Sequence, residues 1–197
     1  MGLCPRALVL MRIWLVVFAL CFSLWGNEAC AKARQYYAAP QHFDASFQVP
    51  DQSFRNVRGF FREATGAFSF DATKKEISKL KLAIRVEEIE TSSRDAQNDL
   101  IELLNPRDYP EIVFMATAPS ALKNGEGQIK GTLTAHGQSK PAVFEAKLTR
   151  KADDKKALGL SLEGSFKRAD FDMGDPPEIP GRFGEEIKLI LDIKAVR

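Results

Sequence analysis

The side chains of this chain that could support metal or nucleophilic chemistry are few and far apart. His42 and His136 are its two histidines, and they lie 94 positions apart. A protein metal site ordinarily takes three or four ligands with local spacing. The pair therefore predicts two surface or rim histidines and no metal site. The sequence also has no Gly-x-Ser-x-Gly motif and no phosphate-binding loop.

Adjacent carboxylates are the remaining candidates for acid–base chemistry. They occur at Glu87-Glu88, Asp153-Asp154 and Glu185-Glu186, in or beside expected turns or on expected exposed faces. Paired carboxylates act as acid and base only in a cleft that shifts their pKa values. Solvated surface charge is the simpler interpretation, so we expect neither catalysis nor a cofactor.

The first 31 residues have the layout of a secretory signal peptide. Arg6 and Arg12 precede an apolar run at 13–25, and Ala29-Cys30-Ala31 supplies the small residues of a cleavage site. The alternative is a membrane anchor, which needs roughly 20 apolar residues. We therefore expect cleavage near Ala31, a secreted or periplasmic protein, and one domain at 32–197 without a stable membrane span.

Removing this segment leaves a nearly neutral chain. Lys plus Arg falls from 28 to 26 and Asp plus Glu from 26 to 25, and Cys4, Cys21 and Cys30 are all lost. A net charge near zero argues against nucleic acid as a partner. The absence of cysteine from 32–197 excludes a disulfide, a thiolate metal site and a cysteine nucleophile in that domain.

Alternation of apolar and polar residues predicts an antiparallel β protein. Leu80, Leu82, Ile84 and Val86 share one strand face, for example, and the breaks between such segments are short and hairpin-like. Residues 32–41 read as a lead-in, and one helix is expected at 92–104. The expected strands are 42–49, 57–71, 77–89, 111–118, 126–135, 142–151, 157–168 and 186–196.

Eight strands with single apolar faces predict either a sandwich or a closed barrel, and periodicity does not choose between them. The domain is rich in phenylalanine, which suits the wall of an apolar cavity. Small barrels are also often filled by their own side chains. The residues alone therefore leave an open lumen and a solid core as alternatives.

Four segments, in order, resemble the YceI-like family of secreted lipid-binding domains. They are VRGFFREATGAFSFD, IRVEEIETSSRDAQNDLIELLNPRDYPEIVF, IKGTLTAHGQSKPAVFEAKL and FKRADFDMG. The resemblance covers about residues 36–196. It implies an eight-stranded antiparallel, lipocalin-like β-barrel with one short helix near one end, whose apolar lumen takes a long-chain isoprenoid or another amphiphilic lipid.

On this resemblance, inward-facing apolar residues are expected to bind the lipid chain. Those expected to line the lumen are Phe47, Phe68, Phe70, Leu82, Ile84, Phe114, Leu133, Phe144, Leu162, Phe166 and Leu189.

The remaining predictions concern the helix and the irregular stretch that are expected at the ends of the barrel. The helix 92–104 is expected either to plug one end or to pack over a sheet edge. The irregular stretch 169–186 is expected to be a mobile lid, with Phe171 at the mouth. Arg168 or Arg182 is expected to meet a polar head group or, as the alternative, to face solvent.

The chain also departs from the pattern of the family at two positions. Asp51 and Asp99 stand where the family often has histidine, so a head-group contact made by those histidines is not carried over.

We conclude from the sequence that this is a secreted or periplasmic carrier of an amphiphilic lipid such as a polyisoprenoid. The alternatives are an isomerase or cyclase acting on a lipid-like substrate in the same barrel, and a solid-core interaction module without a ligand. The sequence does not indicate the oligomeric state.

Overall fold

A computed structural model describes residues 33–50, 56–92, 94–149, 156–175 and 180–197 of the chain. The expected signal peptide and Asp51 lie outside the described residues, so both predictions stay untested. No helix among the described residues is long and apolar enough to cross a membrane.

The described residues form ten strands, one α-helix and two short 3₁₀ helices. The 3₁₀ helices are Pro40–His42 and Arg168–Phe171. The helix α1 is Arg94–Leu104. The strands are β1 Arg34–Ala38, β2 Phe43–Pro50, β3 Asn56–Asp71, β4 Glu76–Thr91, β5 Glu111–Ala116, β6 Ser120–Ala121, β7 Glu126–Ala135, β8 Gln138–Thr149, β9 Ala157–Lys167 and β10 Glu186–Val196.

Eight of these strands close into an antiparallel barrel, as the sequence predicts. The ring runs β3-β2-β10-β9-β8-β7-β5-β4 and returns to β3 through the β3–β4 pairing. Closure satisfies the strand edges that a sandwich would leave exposed. The barrel is therefore the solution that this chain adopts.

The lead-in predicted at 32–41 is wrong, because Arg34–Ala38 forms strand β1. β1 precedes β2 in the chain, and the first 3₁₀ helix lies between them. β1 pairs with the second half of β3, from Arg34 with Phe70 to Ala38 with Gly66. β2 pairs only with the first half, as far as Phe61. Without β1, five residues of β3 would present unpaired backbone groups, which explains why a short segment is held as a strand.

Local turn chemistry and bulges shape the barrel. Asn124 and Gly125 both have positive φ, 54° and 86°, which is the conformation of a two-residue hairpin turn and favours glycine. The long pair β3–β4 shifts register twice, and Lys79 at φ 55° lies in the second irregularity. Bulges of this kind bend and twist a strand so that a sheet can close.

The connections divide the barrel into two ends. We call the end that carries α1, the β7–β8 turn and the β9–β10 connection the helix end. The opposite end carries the turn at 72–75, the turn at 124–125 and the C-terminal residue Arg197, and we call it the turn end. Inward residues of every strand except the two-residue β6 form one apolar cluster between these two ends.

Candidate functional site in the barrel interior

All eleven residues predicted to line the lumen face the interior of the barrel. Nine of them are at most 3% exposed, and Leu162 is not exposed at all. The two most accessible are Phe70 at 7%, near the turn end, and Phe166 at 8%, near the helix end. A void wide enough for water would expose the side chains that line it, so in this structure the middle of the lumen is packed.

Phenylalanine rings in the interior lie flat against glycines of the adjacent strand. A Cβ built on Gly164 of β9 would lie 2.7 Å from Cδ1 of Phe144 on β8. The rings of Phe114 and Phe144 in turn meet edge to face at 4.7 Å. The ring therefore occupies the place of a missing side chain and lies along the wall.

The same arrangement recurs at two other places. The ring of Phe47 lies over Gly59, and the ring of Phe114 lies over Gly131. These three glycines leave room for the rings, and none of them is among the residues predicted to line the lumen. A glycine inside a strand pattern marks close approach by another group, which is the signal that would have identified them.

The interior carries few groups that could perform chemistry. Among the described residues, the buried polar side chains are Ser69 and Arg168. The pKa shifts with an identified cause lie outside on exposed pairs, where the hydrogen bond and charge of Lys147 lower the pKa of Glu126. In the part of the chain that the structure describes, no three metal-ligating side chains cluster.

The histidines lie on different elements, His42 in the first 3₁₀ helix and His136 in the β7–β8 turn. His136 packs on the ring of Tyr109 at 4.1 Å between centroids. Both are half-buried, and their Nδ1 atoms are buried without a hydrogen-bond partner. The absence of a metal site at these two histidines stays a prediction.

Arg168 is the centre of the β9–β10 connection. It is 3% exposed, and it continues the inward face of β9. Nε donates to the Gly184 carbonyl at 2.8 Å and Nη1 to the Met173 carbonyl at 3.0 Å. Nη2 donates to the Phe183 carbonyl at 2.9 Å and to Oδ1 of Asp175 at 3.0 Å.

This geometry changes the interpretation of the predicted mouth. The solvent-facing alternative for Arg168 is wrong, and its guanidinium donates four hydrogen bonds within the connection. Contact of Arg168 or Arg182 with a head group stays a prediction. Phe171 and Phe183 are each 2% exposed and belong to the interior cluster, and the ring of Phe171 meets that of Phe166 at 5.0 Å. In its described residues the connection is therefore an anchored closure and not a loosely held lid.

Arg182 joins the connection to helix α1. Its guanidinium pairs with the Asp99 carboxylate of the helix, and both side chains are about three-quarters buried. It also lies 5.5 Å from the centroid of the Phe183 ring. One of the two positions where the family often has histidine is thus the acidic partner of an ion pair at the helix end.

Helix α1 combines the two roles predicted for it. It packs on β4, and its stripe of Ala96, Leu100, Leu103 and Leu104 is buried in the same apolar cluster as the inward strand faces. It therefore covers the sheet and closes the helix end at once.

Two surface depressions differ in their relation to the interior. A groove of 510 Å³ lies on the outer face of β2, β8, β9 and β10 and is lined mainly by polar side chains such as Gln48 and Glu163. A smaller depression of 250 Å³ at the turn end has Phe70, Leu122 and Leu148 as its apolar lining. Phe70 belongs to the predicted lumen, so this depression borders the edge of the interior cluster.

Comparison with known proteins gives a consistent result. Residues 36–195 match the family described as the YceI-like domain. The chain is 31% identical over 163 residues to Protein YceI of Salmonella newport, a match that covers 80% of this chain and 83% of that protein.

Solved structures with the same architecture extend the match. The YCEI protein of Campylobacter jejuni is 26% identical, with a TM-score of 0.61 over 73% of this chain and 86% of that one. A polyisoprenoid binding domain from Saccharophagus degradans gives a TM-score of 0.59 over 84% and 99% of the two chains. Its identity of 10% shows a shared fold alone.

Proposed function

For a chain that belongs to the YceI-like domain family, we propose that the barrel binds an amphiphilic lipid, such as a polyisoprenoid, with the lipid chain in the apolar interior. The observation that carries the proposal is the interior itself, where all eleven predicted lining residues converge in one apolar cluster. The polyisoprenoid binding domain from Saccharophagus degradans, which has the same fold, supports the chemical class.

Binding requires the interior to open, because its middle is packed. The rings seated on Gly59, Gly131 and Gly164 are the groups best placed to move, since each is held by packing against an apolar wall and not by hydrogen bonds. Burial of an isoprenoid chain would offset the displacement of these rings, because it stabilises the complex by about 25 cal/mol per Å² of apolar surface.

The second candidate function is an interaction module with a solid core and no ligand. The packing of the interior favours it directly, since nine lining residues are at most 3% exposed. An enzyme has less support. Isomerase or cyclase chemistry needs convergent acid and base groups, and of the two buried polar side chains in the described residues, Arg168 is committed to the β9–β10 connection.

We further propose that the protein is exported and acts as a carrier. The support is the sequence of residues 1–31, with its charged start, short apolar run and small residues at 29–31. Intact-mass analysis of the exported protein tests this part by itself, and retention of residues 1–31 would contradict it.

Binding in the lumen is tested by comparing two single variants that each introduce a lysine. One lysine replaces a residue that faces the interior, and the other replaces its neighbour, which faces outward. Leu162 faces the interior and Ser161 faces outward on the same strand. Leu162→Lys places an unpaired ammonium in the interior, at a cost of several kcal/mol. We expect it to abolish binding of a fluorescent polyisoprenoid, whereas Ser161→Lys leaves binding unchanged.

Gly164→Ala is the second variant, in case Leu162→Lys does not fold. The three atoms nearest to the new methyl group all belong to the Phe144 ring, so the ring must turn into the bore. We expect a folded protein by circular dichroism whose lipid affinity falls at least about threefold, in line with the cost of overpacking. Wild-type protein that takes up no isoprenoid would favour the solid-core module.

A further inference from the structure

The two ends of the barrel carry opposite charge. At the turn end, exposed basic side chains lie in the turns and terminal segments, and the structure gives none of Arg34, Lys74, Lys75, Lys123 and Arg197 an ion pair with a described residue. The exposed basic residues at this end are Arg34, Lys74, Lys75, Lys123, Lys156 and Arg197.

The acidic residues of the same turns are largely engaged. Oδ1 of Asp71 accepts the backbone N–H groups of Thr73 and Lys74 at 2.8 and 3.0 Å. Glu126 pairs with Lys147 at 2.9 Å. With the full charges of Asp71, Glu76 and Glu126 counted, the six exposed basic residues together with Lys147 still leave an excess of positive charge among the described residues of the turn end.

The helix end is acidic by comparison. Two of its arginines, Arg168 and Arg182, are held in ion pairs with Asp175 and Asp99, so they add little positive potential. Among the described residues, the exposed basic residues of this end are Arg94, Arg107, Lys140 and Lys167. The exposed acidic residues of α1, of the α1–β5 connection and of the β9–β10 connection outnumber these cations and include Asp95, Glu102, Asp108, Asp170, Asp172 and Glu185.

Exposed apolar groups lie within the basic end. Tyr37 is 54% exposed and Val196 is 38% exposed, and the two are paired across strands β1 and β10. The backbone N–H of Arg197 donates to the Lys156 carbonyl at 3.1 Å, which holds two cations beside this pair. An aromatic ring among lysines and arginines matches the headgroup region of a membrane.

The apolar depression opens in the same place. Phe70, Leu122 and Leu148 line it and Lys75 contributes to its wall. The pairing of Arg34 with Phe70 puts a second cation beside it. The backbone N–H of Leu122 donates to the Lys75 carbonyl at 2.8 Å. This hydrogen bond joins the apolar lining of the depression directly to the basic residue in its wall.

From these observations we propose that the turn end docks on an anionic lipid bilayer and that the lipid passes through the depression at Phe70, Leu122 and Leu148. The bilayer is favoured over a soluble polyanion because the basic residues surround exposed apolar groups and an apolar opening. Passage of the lipid through the depression rests on the proposed lumen site. Docking on the bilayer does not depend on that site and is measured separately. This places the entrance opposite the connection that the sequence predicted as the mouth.

Docking is tested by flotation of the purified protein with phosphatidylglycerol vesicles and with phosphatidylcholine vesicles. We expect binding to the anionic vesicles alone, weakening as salt rises. A triple variant, Lys74→Glu, Lys123→Glu and Arg197→Glu, should bind at least about tenfold more weakly, since each basic residue near an anionic surface contributes about fivefold.

The matched control changes the same number of charges elsewhere. Arg107, Lys140 and Lys167 are exposed and belong to the helix end, and their triple change to Glu should leave vesicle binding within about threefold of wild type. Equal losses in the two triple variants would show that net charge alone acts, and the proposal would fail. Wild-type protein that does not bind phosphatidylglycerol vesicles would also overturn it.

Insertion is tested with an environment-sensitive fluorophore on a single cysteine, with Cys4, Cys21 and Cys30 replaced by serine wherever they are retained. Ala72→Cys labels the turn-end depression and Ala169→Cys labels the helix end; both alanines are exposed. We expect anionic vesicles to shift the emission to the blue at position 72 only. A shift at 169 alone, or equally strong binding to soluble polyphosphate without any shift, would contradict bilayer docking.

Failure of docking is distinguishable from failure of the proposed lipid site. Protein that takes up isoprenoid from detergent solution but ignores vesicles would refute docking and leave the lumen site intact. Protein that docks through the turn end and takes up no isoprenoid would refute the lumen site and the passage but not the docking surface.

Discussion

The helix end and the turn end close the same barrel with different interactions. At the helix end, a buried guanidinium holds a long connection through backbone carbonyls, and Phe171 and Phe183 add apolar packing. At the turn end, tight hairpins close the barrel above a shallow apolar depression. Opening the helix end would leave several buried polar groups without partners, whereas opening the turn end only displaces hairpin tips.

This difference indicates which end can open. Elements that move in binding proteins come from regions of low local stability. A buried charge with four hydrogen bonds is costly to expose, so the helix end is expected to stay closed while a lipid enters.

The largest effect is expected at Arg168. Arg168→Met removes the donors for three backbone carbonyls and Asp175, and we expect a loss of about 3–5 kcal/mol in the free energy of unfolding. Urea denaturation measures it. The exposed neighbour provides the control, because Lys167→Met should change stability by less than about 0.5 kcal/mol. Similar small losses in the two variants would mean that the helix end is not anchored.

A backbone change at the turn end should lower the free energy of unfolding by less than Arg168→Met does. Gly125 has φ 86°, and a Cβ there would lie 3.0 Å from the Leu148 carbonyl oxygen. Gly125→Ala should cost about 1–2 kcal/mol through the left-handed conformation. Gly174 at the helix end has open space around it, so Gly174→Ala is the control. Thermal melts that rank the two variants in the opposite order would contradict this account of the turn.

Much of this architecture could be predicted from the sequence because it follows from local periodicity. The alternation at Leu80, Leu82, Ile84 and Val86 and the turn pair Asn124-Gly125 each specify their own conformation. β1 was missed because Arg34–Ala38 acquires its strand character from a distant partner, the second half of β3.

The candidate site was predictable to the same extent. Inward faces follow from alternation, and all eleven positions predicted to line the lumen are buried in the interior cluster. Their contact with a lipid stays a prediction. The role of Arg168 was not predictable, because its acceptors are mainly backbone carbonyls, which no pattern of side chains reveals. The packing of the rings on Gly59, Gly131 and Gly164 was also missed, since it depends on which strands become neighbours.

A smaller effect is expected where the connection meets helix α1. The Arg182–Asp99 pair is partly exposed, so a double-mutant cycle with Arg182→Ala and Asp99→Ala should give a coupling energy of about 0.5–1 kcal/mol. The cycle is measured by urea denaturation at low and high salt, and salt should reduce the coupling. Additive single effects would show that this pair does not help to close the helix end.

The smallest effect concerns an exposed pair near the turn end. The hydrogen bond and charge of Lys147 lower the pKa of Glu126. A carboxylate whose pKa is lowered by folding stabilises the protein above its unfolded-state pKa, and that contribution is lost as the pH falls through the folded-state pKa. NMR titration should show a Glu126 pKa below its ordinary value that rises in Lys147→Gln. An unchanged pKa in the variant would mean that the pair does not form in solution.

The central claim is that the packed interior opens to hold one lipid chain, and native mass spectrometry of the wild-type protein purified from cell envelopes tests it most directly. We expect a folded protein that carries a single mass addition, and collisional release should identify that addition as a long-chain amphiphile of isoprenoid type. Folded protein that carries no lipid, even after incubation with polyisoprenoids in detergent, would contradict the claim and establish a solid core.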